Sequence, residues 1–456
     1  MRVAVLVIMI MAAMAHTEAQ TASGTLPVVH ITTEDSIKSK TEYVEGKLYI
    51  DNVVAEDYAA VASAESPMLI GIRGRGNWTW TGNFEKKAYK IKLAQKTPLL
   101  GMAANKHFAL LAHADGSNPF LRNAAAFHTS IMLRLDFTPA ERPVELYLNG
   151  EYRGLYFLTE TVRLGSNRVD ITEQSDMETD DEAITGGWLI ELDNNNDSQQ
   201  LKFSTKGTDL GWLWVTYHSP EVLSSEQRDY LRSQINTLVQ RIYTDDKSST
   251  EWEEMIDVES LARYYMTCEI LDHTEGFLGS CYLYKDRGEQ RWKFGPVWDF
   301  GNAFNSGHKK DEFCYNYTNG WYPGLINEIV KFPRFQQQVR RVWDEFYPSM
   351  YDGLRHYLTW YAQYIHDAAE CDRQRWGYAD GIDRQLEKCL NYLEQKKDFL
   401  MSQWNDSKIM EYQNSVKETI AEEAEEQIYN ISGQRMNVTP RRGVYIKGKK
   451  KYIKVK

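Results

Sequence analysis

The chain has 456 residues, 42% of them hydrophobic, which is enough material for a large buried core and for one to three domains. Its formal charge is −11, but residues 433–456 carry nine Lys or Arg and no acid, so the remainder stands near −20. An acidic body argues against a nucleic-acid partner, and five cysteines without Cys-x-x-Cys spacing (Cys268, Cys281, Cys314, Cys371 and Cys389) argue against a zinc site.

Met1-Arg2, an apolar run from Val3 to Ala15 and small residues up to Ala19 read as a secretory signal peptide over 1–19, too short to span a bilayer. No later stretch reaches membrane-spanning length, so the expectation is an exported protein, periplasmic, surface-attached or secreted. A strand-rich N-terminal segment is expected over 20–64 and the main domain over 65–410. Segments 46–51, 68–76, 88–93 and 107–112 alternate or run apolar as strands do. The spacing of apolar and Ala residues predicts a helix over 118–135. Two alternating runs around Asn149-Gly150, from Val144 to Glu160, predict a hairpin closed by a type I′ turn. A further strand is predicted over 187–193.

The second half changes character. Helical periodicity predicts helices over 224–243, 252–271, 333–368 and 383–404, interrupted by a strand pair at 280–285 and 291–298. The fold class is therefore α+β, with a strand-rich N-terminal half and a helical C-terminal half. Residues 411–426 read as an acidic linker or helix, and 427–456 as a small β module of three short strands. That tail resembles the C-terminal modules of exported Bacteroidetes proteins, some of which are read by secretion machinery; the other reading is a basic hairpin that only packs or binds acidic surface.

Three constellations can carry chemistry. Arg73 and Arg75 have strand spacing and project to one side, Gly74 and Gly76 allow close backbone approach, and Lys90 and Lys92 share a face of the next strand. Together they can cradle a phosphate or another polyanion, or simply form surface charge on a hairpin. Among the strand carboxylates Glu145, Glu151, Glu160, Glu191 and Asp193, Glu160 is best placed to point inward at a basic residue. Asp272, His273 and Glu275 lie in one loop before the run Trp292–Phe304, where Asp299 sits among aromatic residues as a metal ligand or buried ion-pair partner. No Gly-x-Ser-x-Gly and no His-Glu-x-x-His occurs, while carboxylate-pair glycoside hydrolysis stays open.

Taken in order, R-G-R-G-N-W-T-W (73–80), K-K-A-Y-K-I-K-L (86–93), L-R-N (121–123), V-E-L-Y-L-N-G-E-Y-R-G-L-Y-F-L-T-E (144–160), G-G-W-L-I-E-L-D (186–193) and F-G-P-V-W-D-F-G-N-A-F (294–304) resemble the spore-coat protein H (CotH) kinase family. The resemblance implies an atypical protein-kinase-like domain that uses ATP and Mg²⁺ or Mn²⁺ to phosphorylate serine in a protein substrate. It implies that Asp299 binds the metal, with Ser280 where the family has a metal-binding Asn. Glu275 stands where the family has its catalytic Asp, and Asp272 substitutes if the loop is shifted. Arg73, Arg75, Lys90 and Lys92 would surround the phosphates and Glu160 would orient one of them. The departures at Glu275 and Ser280 keep a rival open, a non-catalytic surface protein, either a pseudokinase or a glycan-binding adhesin on the same scaffold.

Overall fold

The computed structural model describes residues 21–51, 58, 61–114, 120–193, 200–204, 212–304, 307–317, 324–347, 349–405, 428–430, 435–436, 443–447 and 450–454. The signal-peptide reading at 1–19 and the acidic segment 411–426 fall outside these residues. Two compact units are present, Met1–Lys397 and Asp398–Lys456.

The first unit begins with a closed barrel of seven strands: β1 (Val28–Thr33), β2 (Val44–Asp51), β3 (Met68–Arg75), β4 (Ala88–Thr97), β5 (Asn105–Leu111), β6 (Glu141–Leu148) and β7 (Glu151–Glu160). Their order around the barrel is β1-β2-β3-β4-β5-β7-β6, closed by parallel pairing of β1 with β6. Alternate residues such as Ile72, Ile91, Phe108, Val144 and Leu158 fill the interior, the period-2 pattern that a strand with one buried face requires. β2 pairs with β3 from Val44↔Ile72 to Leu48↔Met68, so the expected boundary at 64/65 falls inside one sheet. Residues 28–51 therefore belong to the main body, because their apolar faces are part of its core. Asn149 (φ 53°) and Gly150 (φ 79°) both adopt the left-handed region, as the type I′ hairpin needs.

After helix α1 (Arg122–Met132) and the β6/β7 hairpin comes a second sheet. Its strands are β8 (Trp188–Leu192), β9 (Gln200–Ser204), β10 (Trp212–Ser219), β11 (Cys281–Lys285) and β12 (Lys293–Phe294), in the order β12-β11-β8-β10-β9. Helix α2 (Ser225–Ile242) starts at a capping box, with the Ser224 hydroxyl accepting the Gln227 N–H and the Gln227 side chain accepting the Ser224 N–H. Helix α3 (Val258–Leu271) leads into the loop before β11. The long expected helix 333–368 is three helices, α4 (Pro333–Phe346), α5 (Ser349–Tyr364) and α6 (His366–Trp376), followed by α7 (Ile382–Trp404). α4 stops where Tyr347 turns extended (ψ 139°), the conformation a residue preceding proline favours.

The second unit contains a four-stranded antiparallel sheet, β13 (Ile428–Asn430), β14 (Arg435–Met436), β15 (Gly443–Lys447) and β16 (Lys450–Lys454), in the order β14-β13-β15-β16. None of the five cysteines is in a disulfide.

Candidate functional site

A cleft of about 970 Å³ runs along the outer face of β3, β4 and β5 and is walled on the other side by β8, β10 and the segment 173–176. Register explains its charge. Arg73 on β3 sits opposite Lys90 on β4, and Lys92 opposite His107 on β5, so outward-facing residues of three adjacent strands form one basic row. Arg163, after β7, adds a further cation to the lining. Arg73 lies over the Tyr43 ring at 5.1 Å, and its Nε is buried without a hydrogen-bond partner among the described residues.

Crowding of like charges is visible in the acid–base balance. Burial, and then the neighbouring Arg73, Arg163 and Arg75, push Lys90 down to about 8. Burial and the surrounding Arg163, Lys90 and Lys92 push His107 down to about 3, so it is neutral at physiological pH. Acidic lining residues are fewer and partly engaged: Glu221 approaches Arg163 at 3.9 Å, and Asp176 accepts the N–H groups of Glu221 and Val222.

The protonation of Lys90 gives the cleft a pH dependence. Lys90 is charged below about pH 8 and a bound polyanion favours that charge, so affinity should be full at pH 7 and fall as pH rises through 8. Tripolyphosphate titrated into the protein should bind up to about tenfold more weakly at pH 9 than at pH 7, one decade per pKa unit, and Lys90→Met should lose that part of the dependence. Equal pH profiles for the two proteins would remove Lys90 from the anion site. For stability the sign is opposite: the folded state sheds this proton before the unfolded chain does, so between about pH 8 and 10.5 the Lys90 contribution rises with pH.

Arg75 continues the row at the end of β3. Its guanidinium lies 4.8 Å from the Trp298 ring; burial lowers its pKa, and the neighbouring Asp299 and Glu191 carboxylates act in the opposite direction. Asp299 itself is exposed, between the buried Trp298 and Phe300, and holds a left-handed backbone (φ 57°). The expectation of a buried carboxylate is thereby corrected: the left-handed turn sends the aromatic neighbours inward and the acid outward. α1 fixes this turn, because Asn123 accepts the Phe300 N–H at 2.9 Å and Arg122 donates to the Gly301 carbonyl. The L-R-N motif thus has a mechanical role.

The loop between α3 and β11 abuts the same turn. Asn302 donates to Thr274 at 3.2 Å, and His273 stacks on Phe300 with centroids 4.1 Å apart. Glu275 is exposed on this loop and Ser280, half-buried, ends it with φ 53°. Asp272 takes no part in the cleft, which corrects its expected role as an alternative proton acceptor. It is fully buried, and its carboxylate accepts from His308 Nδ1 (2.8 Å), Lys396 Nζ (3.0 Å) and the Tyr392 hydroxyl. Burial alone would raise its pKa, but these donors hold it below the usual carboxylate value.

Glu160 does point inward at a basic residue, as its sequence suggests, but its role at the phosphate row needs a third correction. It is buried and pairs with Arg168 at 3.3 Å while accepting the Ala140 N–H, so it orients none of Arg73, Arg75, Lys90 or Lys92. Arg168 in turn donates to the carbonyls of Thr161 and His107, which ties the pair to the strand that carries His107. Glu145 is also structural, accepting from Ser23 and the Tyr152 hydroxyl, and Glu151 lies exposed beside Arg153 and Arg375.

Glu191 is the strand carboxylate that reaches the cleft region. Buried on β8, opposite Thr216 and Tyr282, it accepts from His218 Nε2 at 2.7 Å. No sequence motif marks His218 or Arg163, whose positions depend on long-range pairing. The family model of the CotH kinase protein matches residues 72–400 of the chain. No curated protein matches it.

Proposed function

Proceeding from a chain that belongs to the CotH kinase family, we propose that it is an exported phosphotransferase on a kinase-like fold, moving the γ-phosphoryl group of ATP to a protein serine with Mg²⁺ or Mn²⁺. The observation that carries this reading is the row Arg73, Lys90, Lys92, whose charges crowd one another and which ends in Arg75 beside Asp299. A triphosphate relieves such crowding, and the buried Arg73 Nε is a donor that an anion would satisfy.

The residues also fit a magnesium-type ion. Such ions keep most of their water and bind through one or two carboxylates plus substrate phosphates, so an exposed acid at the end of a phosphate-binding row is the donor set required. No group of three or more His, Cys, Asp or Glu suited to a metal occurs among the described residues. Asp299 would hold it, with Ser280 a weaker oxygen donor. When bound, the metal nucleotide supplies the phosphoryl group and screens its charge. The chain's own residues do the rest. Arg73, Lys90 and Lys92 hold the anion, Arg75 restrains the Asp299 carboxylate, and Glu275, on the loop joined to the Asp299 turn through Thr274 and Asn302, accepts the proton of the acceptor hydroxyl.

Glu275 and Ser280, where the family pattern has Asp and Asn, support a second reading, a surface protein that keeps the scaffold without turnover. Under either reading the apolar N-terminus and the C-terminal β module are taken as export and sorting segments, and no helix among the described residues is long and apolar enough to cross a membrane.

Calorimetric titration with ATP, with and without Mg²⁺ or Mn²⁺, tests the proposal. Asp299→Asn keeps a residue that tolerates the left-handed backbone while removing the charge. Metal-dependent binding should be present in the parent protein and fall at least tenfold in the variant. Full binding by Asp299→Asn would take Asp299 out of the site, and no binding at millimolar ATP would favour the non-catalytic reading.

A further inference from the structure

We propose that His218 is a phosphoryl-accepting residue: its Nδ1 takes the terminal phosphoryl group of a nucleoside triphosphate held in the cleft, forming an N-phosphohistidine. The inference rests on the cleft being a nucleotide site, as argued above. His218 lines the same cleft as Arg73, Lys90, Lys92 and Arg163, on the opposite wall. It sits in β10 where the register with β8 shifts between Tyr217 and Ser219, and a bulge of this kind re-aims a side chain.

The ring is held for nucleophilic attack. Glu191, with its side chain only 9% exposed, accepts the hydrogen of Nε2 at 2.7 Å, which fixes the tautomer with the lone pair on Nδ1. Nδ1 makes no hydrogen bond among the described residues, and the ring retains 35% exposure, so this edge is reachable from the cleft. Tyr282 packs against the imidazole, with ring centroids 5.4 Å apart. Arg75 feels the charges of both Glu191 and Asp299, which places the dyad near the Asp299 end of the row.

The step balances. The Nδ1 lone pair forms the P–N bond, the bond from phosphorus to the bridging oxygen breaks, and that oxygen leaves with its electron pair on the nucleoside diphosphate. The ring becomes cationic, keeping its Nε2 hydrogen, and the Glu191 carboxylate stabilises that charge. No proton has to move. Water or an acceptor hydroxyl can then take the phosphoryl group from nitrogen.

The experiment uses the full chain with γ-³²P-ATP and Mg²⁺ or Mn²⁺, with ATP binding by the parent protein measured in parallel. The expected result is label that survives alkali, is lost in acid and maps by mass spectrometry to the peptide bearing His218, with at least a tenfold loss in His218→Gln. Gln retains a donor for Glu191 but has no nucleophilic nitrogen. Glu191→Gln should slow labelling by tenfold or more. ATP binding with acid-stable label only, no label, or label that maps elsewhere would overturn this inference and leave the phosphotransferase reading standing. Failure of the parent protein to bind ATP would overturn both. Should His218→Gln fold poorly, the mapped position in the parent protein decides alone.

Discussion

Asp372→Ala should destabilise the first unit by about 3–5 kcal/mol, the usual consequence of stripping the partner from a buried charge. Asp372, on α6, is fully buried and lies 2.7 Å from Lys86, which is 1% exposed. The same carboxylate oxygen accepts the Leu155 N–H of β7 at 2.8 Å. Removing it leaves Lys86, among the described residues, with the faces of Phe120 and Tyr156, at 5.2 and 5.1 Å, for its charge and orphans a backbone donor as well. Burial pushes Lys86 down and Asp372 up, each against the pull of its partner, so the pair is held by mutual compensation. Gly154 makes room for it: a Cβ there would stand 2.0 Å from the Asp372 oxygen, at a φ of +91°. In urea unfolding, the double variant Lys86→Met/Asp372→Leu should recover much of the loss, because an apolar pair leaves no charge unpaired. A single-variant cost below about 1 kcal/mol would show that the pair is dispensable.

That pair also marks the limit of what the sequence discloses. Lys86 stands in the basic run of the K-K-A-Y-K-I-K-L segment, and nothing local distinguishes the buried lysine from Lys90 and Lys92, which face the cleft. The distinction comes from α6, nearly three hundred residues later. Local signals read correctly wherever the physics is local. Asn149-Gly150 closes its hairpin, Ser224 and Gln227 cap α2, and alternate spacing puts Arg73, Lys90 and Lys92 on outward faces. Barrel closure through β1 and β6 was not legible, because parallel pairing across more than a hundred residues leaves no periodic trace. The same holds for the carboxylates. Glu160 and Glu191 look alike on their strands, yet one meets Arg168 and the other His218, and Asp272 and Glu275, three residues apart, divide into a buried anchor and an exposed acid. Aromatic neighbours suggested a buried Asp299, whereas a left-handed φ at that one residue reverses the direction of its side chain.

The Asp272 anchor yields the last expected result: Lys396→Met should cost about 3–5 kcal/mol at pH 7 and distinctly less at pH 5.5. Lys396 is fully buried and serves two buried acids, Asp272 at 3.0 Å and Glu269 at 3.5 Å, and Glu269 also accepts the Cys314 N–H. With the ammonium present, Asp272 stays below its ordinary pKa while burial holds Glu269 above its own. Asp272 therefore contributes stability above its unfolded pKa and loses it only as pH falls through the lower folded value. Glu269 acts in the opposite sense, with a cost that is relieved as pH falls through its raised folded pKa. Without Lys396 the two carboxylates share a site with the His308 hydrogen bond and the more distant charge of Lys310, so both pKa values rise and the folded state takes up protons that the unfolded chain does not. The deficit in the variant must then shrink on acidification, which thermal melts at the two pH values read directly. A deficit that stays constant between pH 7 and 5.5 would mean the carboxylates are not held apart by Lys396. Because Asp272 caps α3 immediately before the loop that bears Glu275, the same variant should also loosen that loop, visible as faster amide exchange over 273–280 while β3 and β4 stay protected.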